Sequence, residues 1–171
     1  MDPKLILPYS ELENSYNEYV DEWESYNEPL VPAATIRGFH TFSELLEKWR
    51  EETTEEIRKK DLVPSTLYFL IDENEKILGA IHLRHELNDF LFKLGGNIGY
   101  GVRPTERKKG YASVMLKLVL EKCKTMNMKK VLVTCIKGNT ASANTILANG
   151  GVLENEVYIH NKMMQRYWII L

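Results

Sequence analysis

A short basic loop that leads into a predicted helix is the part of the sequence best suited to chemistry. Arg107 and two lysines precede Gly110, and an apolar segment ends at Pro104 shortly before them. Apolar residues then recur at helical spacing, which predicts strand, loop and helix in that order. Because a helix N-terminus presents free backbone N–H groups, a glycine there lets a phosphate approach the main chain. We predict a site for a pyrophosphate or another polyanion, and a capped helix with a solvated basic loop is the alternative.

The spacing of this loop resembles the acetyl-coenzyme A loop of the GNAT acyltransferases. The loop reads Arg-x-x-Gly-x-Ala from Arg107, and Val-x-Pro ends the predicted strand at residues 102–104. The common phosphate-loop and dinucleotide glycine patterns do not occur at this junction. A second segment adds to the resemblance, because Asn139-x-x-Ser142 begins a short predicted helix that ends at Gly150, as in the GNAT motif after the next strand. Two motifs in the right order are more specific than either one alone.

The resemblance covers approximately residues 66–170, and the residues around Leu83, Gly99 and Arg166 are similar to those of a bacterial branch of the family. It implies an α/β (α+β) protein with the GNAT acyl-CoA N-acyltransferase fold, in which helices flank a mixed central sheet of about six to seven strands. It also implies an enzyme, an N-acetyltransferase that moves an acetyl group from acetyl-coenzyme A to a primary amine. The acceptor is a small-molecule or peptide amine that the sequence does not identify.

The same resemblance implies which residues contact the co-substrate. Backbone groups at the end of the central strand would bond the pantetheine arm as an added strand does. With the Asn139 motif, the implied pantetheine contacts are Tyr100, Gly101, Val102, Asn139 and Ser142. The arginine would order the loop, and backbone N–H groups would hold the pyrophosphate. The implied contacts of this second group are Arg107, Lys108, Lys109, Gly110, Tyr111, Ala112 and Ser113.

The sequence departs from the common GNAT pattern at both positions for proton transfer. Seven residues after Asn139, where many members have a tyrosine general acid, this chain has Ile146. Where some members have a glutamate base at the start of the central strand, it has Gly96 and Asn97. Any base or acid must therefore come from another position or from water.

Other side chains are candidates for these two roles. We predict Glu86 as the base, with His82 and His85 as alternatives, although His82 also suits a packed residue of an alternating strand. Tyr100 and Tyr158 are the candidate side-chain acids, and the thiolate otherwise takes its proton from water or a secondary hydroxyl. The amine would attack directly in a ternary complex, because no sequence signature marks a cysteine as a nucleophile. The alternative function is a coenzyme A-binding sensor or regulatory module with little or no catalysis, and turnover separates the two.

The predicted elements arrange these residues around one sheet. We expect a short edge strand ending at Pro8, two amphipathic helices beginning near Ser10 and near Thr41 or Ser43, and three strands before the basic loop. The strand after the long helix should run parallel to the strand before the loop. A short helix capped by Asn139 and two further strands complete the chain. The aromatic residues of the first helix suit a buried stripe, and a wall of the acceptor pocket is the alternative.

Length and composition indicate one globular domain over residues 1–171. Hydrophobic residues make up 44% of the chain and charged residues 27%. No apolar run approaches the roughly 20 residues that a membrane span needs, and Asp2 and Lys4 do not suit a signal peptide. We therefore expect a cytoplasmic protein without a membrane partner. Cys123 and Cys135 suit ordinary buried thiols, and we predict no metal.

Charge is divided unevenly along the chain. Residues 1–61 hold 7 Lys or Arg against 15 Asp or Glu, whereas residues 62–171 hold 15 against 9. The basic part suits an anionic co-substrate, and the acidic part would attract a cationic acceptor, unless those acids only face water on amphipathic helices. The net charge of −2 argues against nucleic acid as a partner. The sequence leaves the oligomeric state open, a homodimer included.

Overall fold

A mixed sheet forms the centre of the computed structural model, which describes residues 2–171. Its seven strands are β1 (Lys4–Ile6), β2 (Ser65–Ile71), β3 (Ile77–Arg84), β4 (Ile98–Val102), β5 (Lys130–Ile136), β6 (Val152–Ile159) and β7 (Lys162–Ile170). Their order in the sheet is β1-β2-β3-β4-β5-β7-β6. Every neighbouring pair is antiparallel except β4 and β5, which are parallel as expected. The prediction of a mixed sheet with six to seven strands is confirmed.

Helices cover both faces of this sheet. The four α-helices within residues 2–171 are α1 (Glu13–Ser25), α2 (Phe42–Glu52), α3 (Tyr111–Thr125) and α4 (Thr140–Ala148). On one face, Tyr16 of α1 and Trp49 of α2 share a buried cluster with Phe69 of β2. On the other face, Met115 of α3 and Ile146 of α4 belong to a second cluster. We call these two sides of the sheet the α1 face and the α3 face.

Local chemistry explains where the two N-terminal helices begin. Helix α2 begins next to Thr41, one of the two predicted starts, and Thr41 caps it, since its hydroxyl accepts from the Glu44 N–H and the Glu44 carboxylate accepts from the Thr41 N–H. The first helix, which the sequence predicts to begin near Ser10, begins at Glu13 without a side-chain cap. The Ser10 hydroxyl donates to Glu11, and Ser10–Leu12 form a 3-10 turn before α1 begins. None of the helices in the described part of the chain is both long and apolar enough to cross a membrane.

A π-helical turn between β3 and β4, Leu91–Gly95, was not predicted from the sequence. It lies over the α1 face of β5 and β7, because side chains of those strands bind its carbonyl oxygens. Thr134 Oγ1 donates to Leu94 O at 2.6 Å, and Arg166 Nη2 donates to Phe92 O at 2.9 Å. The turn therefore forms a fixed border beside the central strands.

Candidate active site

β4 and β5 form an opening in the sheet because they separate after one pair of residues. Ile98 pairs with Val133, and no further register pair joins these two strands within residues 2–171. β4 still pairs with β3 up to Val102, and β5 pairs with β7 along its whole length. Two strand edges thus face each other beyond Ile98, and such edges present backbone groups that need partners.

Asn97 closes the opening at its narrow end. Its backbone N–H donates to Leu132 O at 2.7 Å, and its side-chain Oδ1 accepts from the Leu132 N–H at 2.8 Å. Its Nδ2 donates to Arg84 O at 3.1 Å, so this one residue joins β3, β4 and β5. Gly96 has a φ of +63°, and a Cβ there would lie 2.5 Å from Leu132 O. The two positions where some GNAT enzymes have a glutamate therefore have a structural role in this chain.

Alternation along β4 decides which backbone groups face the opening. The backbone bonds that β3 makes with Asn97 (2.7 Å) and Arg103 (2.9 Å) show that the odd-numbered residues bond β3. Tyr100 and Val102 therefore turn their N–H and C=O groups toward β5. This narrows the expectation for residues 100–102, since Gly101 pairs with β3 and only its two neighbours offer bonds to the opening.

The basic loop delivers Gly110 to the N-terminus of α3, as the sequence predicts. Gly110 has a φ of +83°, and a Cβ there would meet nothing within 4 Å, so the backbone conformation rather than packing favours glycine. The Ser113 N–H donates to Gly110 O at 3.1 Å. The N–H groups of Tyr111 and Ala112 precede that bond and are presented at the helix end. Ser113 N–H, in contrast, is engaged within the helix and not offered to a ligand.

Arg107 is held in place by an acidic residue from the N-terminal part of the chain. Its guanidinium donates to the two carboxylate oxygens of Glu28 at 2.9 and 2.5 Å, and this bonding holds the pKa of Glu28 below its usual range. The guanidinium also lies 5.0 Å from the ring centre of Trp23, and its Nε donates to Val102 O at 3.3 Å. Arg107 thus orders the loop, and it satisfies one carbonyl at the edge of the opening.

The two lysines of the loop differ from each other. Lys109 forms an ion pair of 2.7 Å with Glu106, whose carboxylate also pairs with Lys76 at 2.5 Å. Lys108 is exposed, has a φ of +63° and makes no ion pair within residues 2–171. The positive charge that the sequence concentrates in this loop is therefore largely neutralised in the fold.

A second ion pair fixes α1 to the residues after β4. Arg103 Nε lies 2.6 Å from a carboxylate oxygen of Glu22, and these side chains are only 8% and 15% exposed. The other oxygen of Glu22 accepts from the Thr105 N–H and hydroxyl at 2.9 and 2.8 Å. Burial would raise the pKa of Glu22, but the bonds from Thr105 and Arg103 lower it. Sequence reasoning missed Glu22 and Glu28, because nothing in a helix pattern shows which distant base an acid will meet.

The Asn139 motif and β4 meet on the α3 face of the opening. Asn139 Oδ1 accepts from the Ser142 N–H at 3.1 Å, so it caps α4 as predicted. The hydroxyl of Tyr100 lies 2.9 Å from Ser142 Oγ. Burial raises the pKa of Tyr100, although the hydrogen bond with Ser142 acts against that rise. A protonated phenol thus lies beside the opening, next to the first turn of α4.

Ile146 does not face the opening. It is fully buried in the cluster on the α3 face. A Cβ added at Gly151 would lie 2.4 Å from Ile146 Cγ2, so this side chain packs tightly against the turn after α4. The position where many family members have a tyrosine is a core position in this chain.

Glu86 lies away from the opening. Its carboxylate accepts from Arg58 Nη2 at 2.9 Å, and this bond lowers its pKa. It lines a groove of about 300 Å³ with Asn97 and Trp168, near the start of β4 and β5 rather than beside the separated edges. The role of Glu86 as the base stays a prediction, and its ion pair argues against it. His85, the neighbouring candidate, has Nε2 2.8 Å from the hydroxyl of Thr66.

His82 is the one histidine candidate beside the opening. It lies on β3 directly opposite Gly99 of β4. Its Nε2 has no access to solvent and no hydrogen-bond partner within residues 2–171. Burial, with further contributions from the positive charges of Arg84, His85 and Lys48, lowers the pKa of His82 to about 3. The imidazole is therefore neutral at physiological pH.

Both cysteines are buried and free, as predicted. Burial raises the pKa of Cys135 and raises that of Cys123 to about 11, so both thiols are protonated at neutral pH. No cluster of three His, Cys, Asp or Glu side chains within residues 2–171 is arranged to hold a metal ion.

Comparisons with known proteins identify the family and the fold of this chain. The sequence profile of the acetyltransferase (GNAT) family matches residues 13–150. A spermidine N-acetyltransferase, a SpeG chimera from Vibrio cholerae and hSSAT, shares 15% identity at a TM-score of 0.66, covering 99% of this chain and 96% of that chain. The ribosomal-protein-S5-alanine acetyltransferase of Vibrio fischeri shares 19% identity at a TM-score of 0.66, and the match covers 99% of this chain and 93% of that chain. The microcin C7 self-immunity acetyltransferase MccE, solved with acetyl-CoA and AMP, shares 18% identity at a TM-score of 0.66. This match also covers 99% of this chain and 93% of that chain.

A search of curated protein sequences finds no match. The structural similarities, at such low identities, show the acyl-CoA N-acyltransferase fold. The family profile spans most of the chain, including β4, the basic loop, α3 and α4. Enzymes of this family transfer acetyl groups from acetyl-coenzyme A to amines. The chain therefore belongs to the GNAT acetyltransferase family and is an N-acetyltransferase.

Proposed function

We propose that this enzyme transfers the acetyl group to a primary amine by direct attack, in a ternary complex held at the opening between β4 and β5. The observation that carries the proposal is the edge of β4, where Tyr100 and Val102 turn backbone groups toward a strand that is no longer paired with them. The pantetheine arm of coenzyme A contains amide groups that would bond this edge as an added strand does. Acetyl-coenzyme A therefore fits the residues present.

The N-terminus of α3 would receive the pyrophosphate. The N–H groups of Tyr111 and Ala112 are presented there, and a helix N-terminus attracts anions through its partial positive charge. Gly110 gives the phosphate room to reach the main chain, because it has no side chain and nothing lies within 4 Å of where one would begin. Lys108 adds a positive charge that has no ion-pair partner among residues 2–171, and Arg107 orders the loop.

The transfer itself needs a neutral amine, a polarised carbonyl and a proton for the departing thiolate. The N–H of Val102 faces the opening and would polarise the thioester carbonyl. As the bond from nitrogen to carbon forms, the carbon–sulfur bond breaks, and the nitrogen gives up one proton to solvent. Tyr100, whose phenol burial keeps protonated beside Ser142, would protonate the thiolate and then regain a proton from solvent. A covalent acyl-enzyme is not required.

The co-substrate assignment is tested by adding a side chain at Gly110. We expect Gly110→Glu to lower the affinity for coenzyme A by at least about tenfold, since a carboxylate would stand at the anion site. Gly150→Glu is the matched control, because Gly150 has a φ of +84° against +83° for Gly110 and equally open surroundings. Isothermal titration calorimetry with coenzyme A measures both. Equal affinities of the two folded variants for coenzyme A would show that the pyrophosphate does not bind at the N-terminus of α3.

The acyl-transfer assignment is tested by measuring thiol release from acetyl-coenzyme A with a panel of three amines. Spermidine and a peptide with N-terminal alanine follow from the similar structures, and Nα-acetyl-lysine adds a single side-chain amine. We expect release above the rate of solvent hydrolysis with at least one of them. A protein that binds coenzyme A tightly and releases no thiol with any amine would instead be a coenzyme A sensor.

A further inference from the structure

A cavity of about 170 Å³ lies between the end of β1, the C-terminal half of α2 and the start of β2. Leu46 and Trp49 of α2 and Leu67 of β2 form part of its apolar wall. It opens to solvent beside Leu7, which is 56% exposed, and Arg50, which is also exposed. An apolar cavity of about 150 Å³ can bind benzene, so this one has room for one branched or aromatic side chain. All of its lining residues precede β3 in the chain, so it is separate from the opening between β4 and β5.

The ladder between β1 and β2 ends at this cavity. Its last pair is Ile6 with Phe69, and the same register would place Pro8 opposite Leu67. Proline has no backbone N–H, so it cannot continue the ladder. Pro8 and Leu67 both line the cavity, so space remains between them. The place of a β1 residue opposite Leu67 is therefore not filled by a paired strand.

Alternation along β2 shows that Leu67 directs its main-chain groups to this edge. The His85 N–H donates to Pro64 O at 2.8 Å, so even-numbered residues of this segment bond β3 and Leu67 faces the side of β1. Neither the N–H nor the C=O of Leu67 has a hydrogen-bond partner within residues 2–171. Leu67 is only 3% exposed, and buried main-chain groups are almost always paired. One donor and one acceptor at the cavity thus need a partner from outside.

A base beside the mouth of the cavity also lacks a partner. Arg50 makes no ion pair within residues 2–171, although it is close to several acids in the sequence. Two of these acids are paired with other bases, since Glu51 lies 2.8 Å from Lys60 Nζ and Glu52 lies 4.0 Å from Lys48 Nζ. The guanidinium of Arg50 is therefore available to a carboxylate, which it can bind through two parallel hydrogen bonds.

We propose that this cavity binds a free apolar α-amino acid, which takes the place in the ladder that Pro8 cannot take. Its ammonium group would donate to Leu67 O, and its carboxylate would accept from the Leu67 N–H and from Arg50. Its side chain would lie against Leu46 and Trp49. An amino acid offers one donor and one acceptor with the spacing of a strand residue, as the edge of β2 requires.

The volume of the cavity and its position define what this ligand does. About 170 Å³ holds one residue rather than a longer peptide. Because the cavity is separate from the opening between β4 and β5, an amino acid bound there would not be the acetyl acceptor. It would instead join the end of β1, α2 and β2, and it would stabilise the folded chain by binding the native state alone.

The test is a titration of the ¹⁵N-labelled protein with L-leucine, followed by the NMR signals of its backbone amides. We expect saturable shifts of the Leu67 and Thr53 signals, with a dissociation constant of about 1 mM or lower. D-leucine should bind at least about fivefold more weakly, because its side chain would point away from the cavity when its main chain pairs with β2. Leucinamide should also bind at least about fivefold more weakly, because it has no carboxylate for Arg50.

Two matched substitutions assign the binding to the cavity. Thr53 and Thr54 are both exposed after α2, and their hydroxyls donate to the carbonyl three residues earlier at 2.8 and 2.7 Å. Only Thr53 lines the cavity. Thr53→Phe should therefore fill it and lower the affinity for L-leucine by about tenfold or more, whereas Thr54→Phe should retain the wild-type affinity. Arg50→Gln should weaken binding by about fivefold.

Other results would overturn the inference. No saturable shift up to about 20 mM L-leucine would show that the cavity holds water only. Equal affinities of Thr53→Phe and Thr54→Phe, both folded, would place the amino acid elsewhere. Shifts confined to β4 and the basic loop would make it a ligand of the acetyl-transfer site. Equal affinities for L-leucine and D-leucine would contradict pairing with the edge of β2. The titration contains no acetyl-coenzyme A, so its outcome is independent of the proposed acetyl transfer.

Discussion

Polar residues around the opening differ in whether the chain itself satisfies them. The side chain of Asn97, which is 2% exposed, bonds both neighbouring strands, and this closes the sheet at one end. His82 lies one strand away with an unpaired ring nitrogen. The sequence marks both simply as polar residues within apolar strands. Only the fold shows that the first of these side chains holds the sheet together, whereas the ring nitrogen of the second has no hydrogen-bond partner within residues 2–171.

The thiol of Cys135 should be dispensable for acetyl transfer. Cys135→Ala should keep the acetyltransferase rate within about threefold, because burial holds the thiol protonated and a thiol in that form is a poor nucleophile. The loss of packing should lower the free energy of unfolding by only about 1–2 kcal/mol. Steady-state kinetics and urea denaturation measure the two effects. An acetyl group found on Cys135 by mass spectrometry after mixing with acetyl-coenzyme A would instead show a covalent intermediate.

Helix α1 and the segment that follows it are attached to the residues after β4 by two ion pairs that differ in burial. Glu22 and Arg103 are almost enclosed, whereas Glu28 and Arg107 are 39% and 37% exposed. A buried charge without its partner is costly, but an exposed one is rehydrated by water. The first pair should therefore support the fold, and the second should mainly fix the shape of the loop.

We expect this difference to appear when each acid is removed. Glu22→Ala should lower the free energy of unfolding by about 3 kcal/mol or more, because it leaves Arg103 buried and unpaired. Glu28→Ala should lower it by less than about 1 kcal/mol. Urea denaturation of both variants gives the comparison, and each serves as the other's control. Equal costs would mean that burial does not decide the contribution of these pairs.

Prediction from the sequence succeeded where the determinant is local. The start of α2 near Thr41, the cap at Asn139 and the strand before the loop follow from neighbouring residues, and the structure has all three. The π-helical turn at Leu91–Gly95 was missed, because its carbonyl oxygens are bound by side chains such as Arg166, some 74 residues away. The order of β6 and β7 likewise depends on pairing that no single segment reveals.

At the scale of the whole molecule, the uneven charge of the chain has a structural explanation that sequence reasoning did not include. Acids of the N-terminal part pair with bases of the C-terminal part, as Glu22 does with Arg103 and Glu28 with Arg107. Part of the division between an acidic and a basic region therefore stabilises the contact between them. Less of it remains to attract substrates over long distances than the counts alone indicate.

The salt dependence of co-substrate binding tests this interpretation. Because Arg107 and Lys109 are paired within the protein, we expect the affinity for coenzyme A to fall by less than about tenfold between about 0.05 and 0.5 M sodium chloride. Lys108→Ala should weaken binding less than Gly110→Glu does. Calorimetry across that range gives the slope. A fall of about a hundredfold or more would show that side-chain charge, rather than the end of α3, dominates the site.

Because β4 and β5 share one register pair within residues 2–171, the concentration of co-substrate would affect the stability of the folded enzyme. A ligand whose amide groups bridge the two strand edges would bind the native state alone, since the unfolded chain has no such edges. Mass action then adds to stability, by about 2.7 kcal/mol when free coenzyme A exceeds its dissociation constant a hundredfold. The free energy of unfolding would therefore rise and fall with the concentration of free coenzyme A. When the metabolite is scarce, more of the protein unfolds and becomes accessible to proteases, so its abundance in the cell would follow the pool on which it draws.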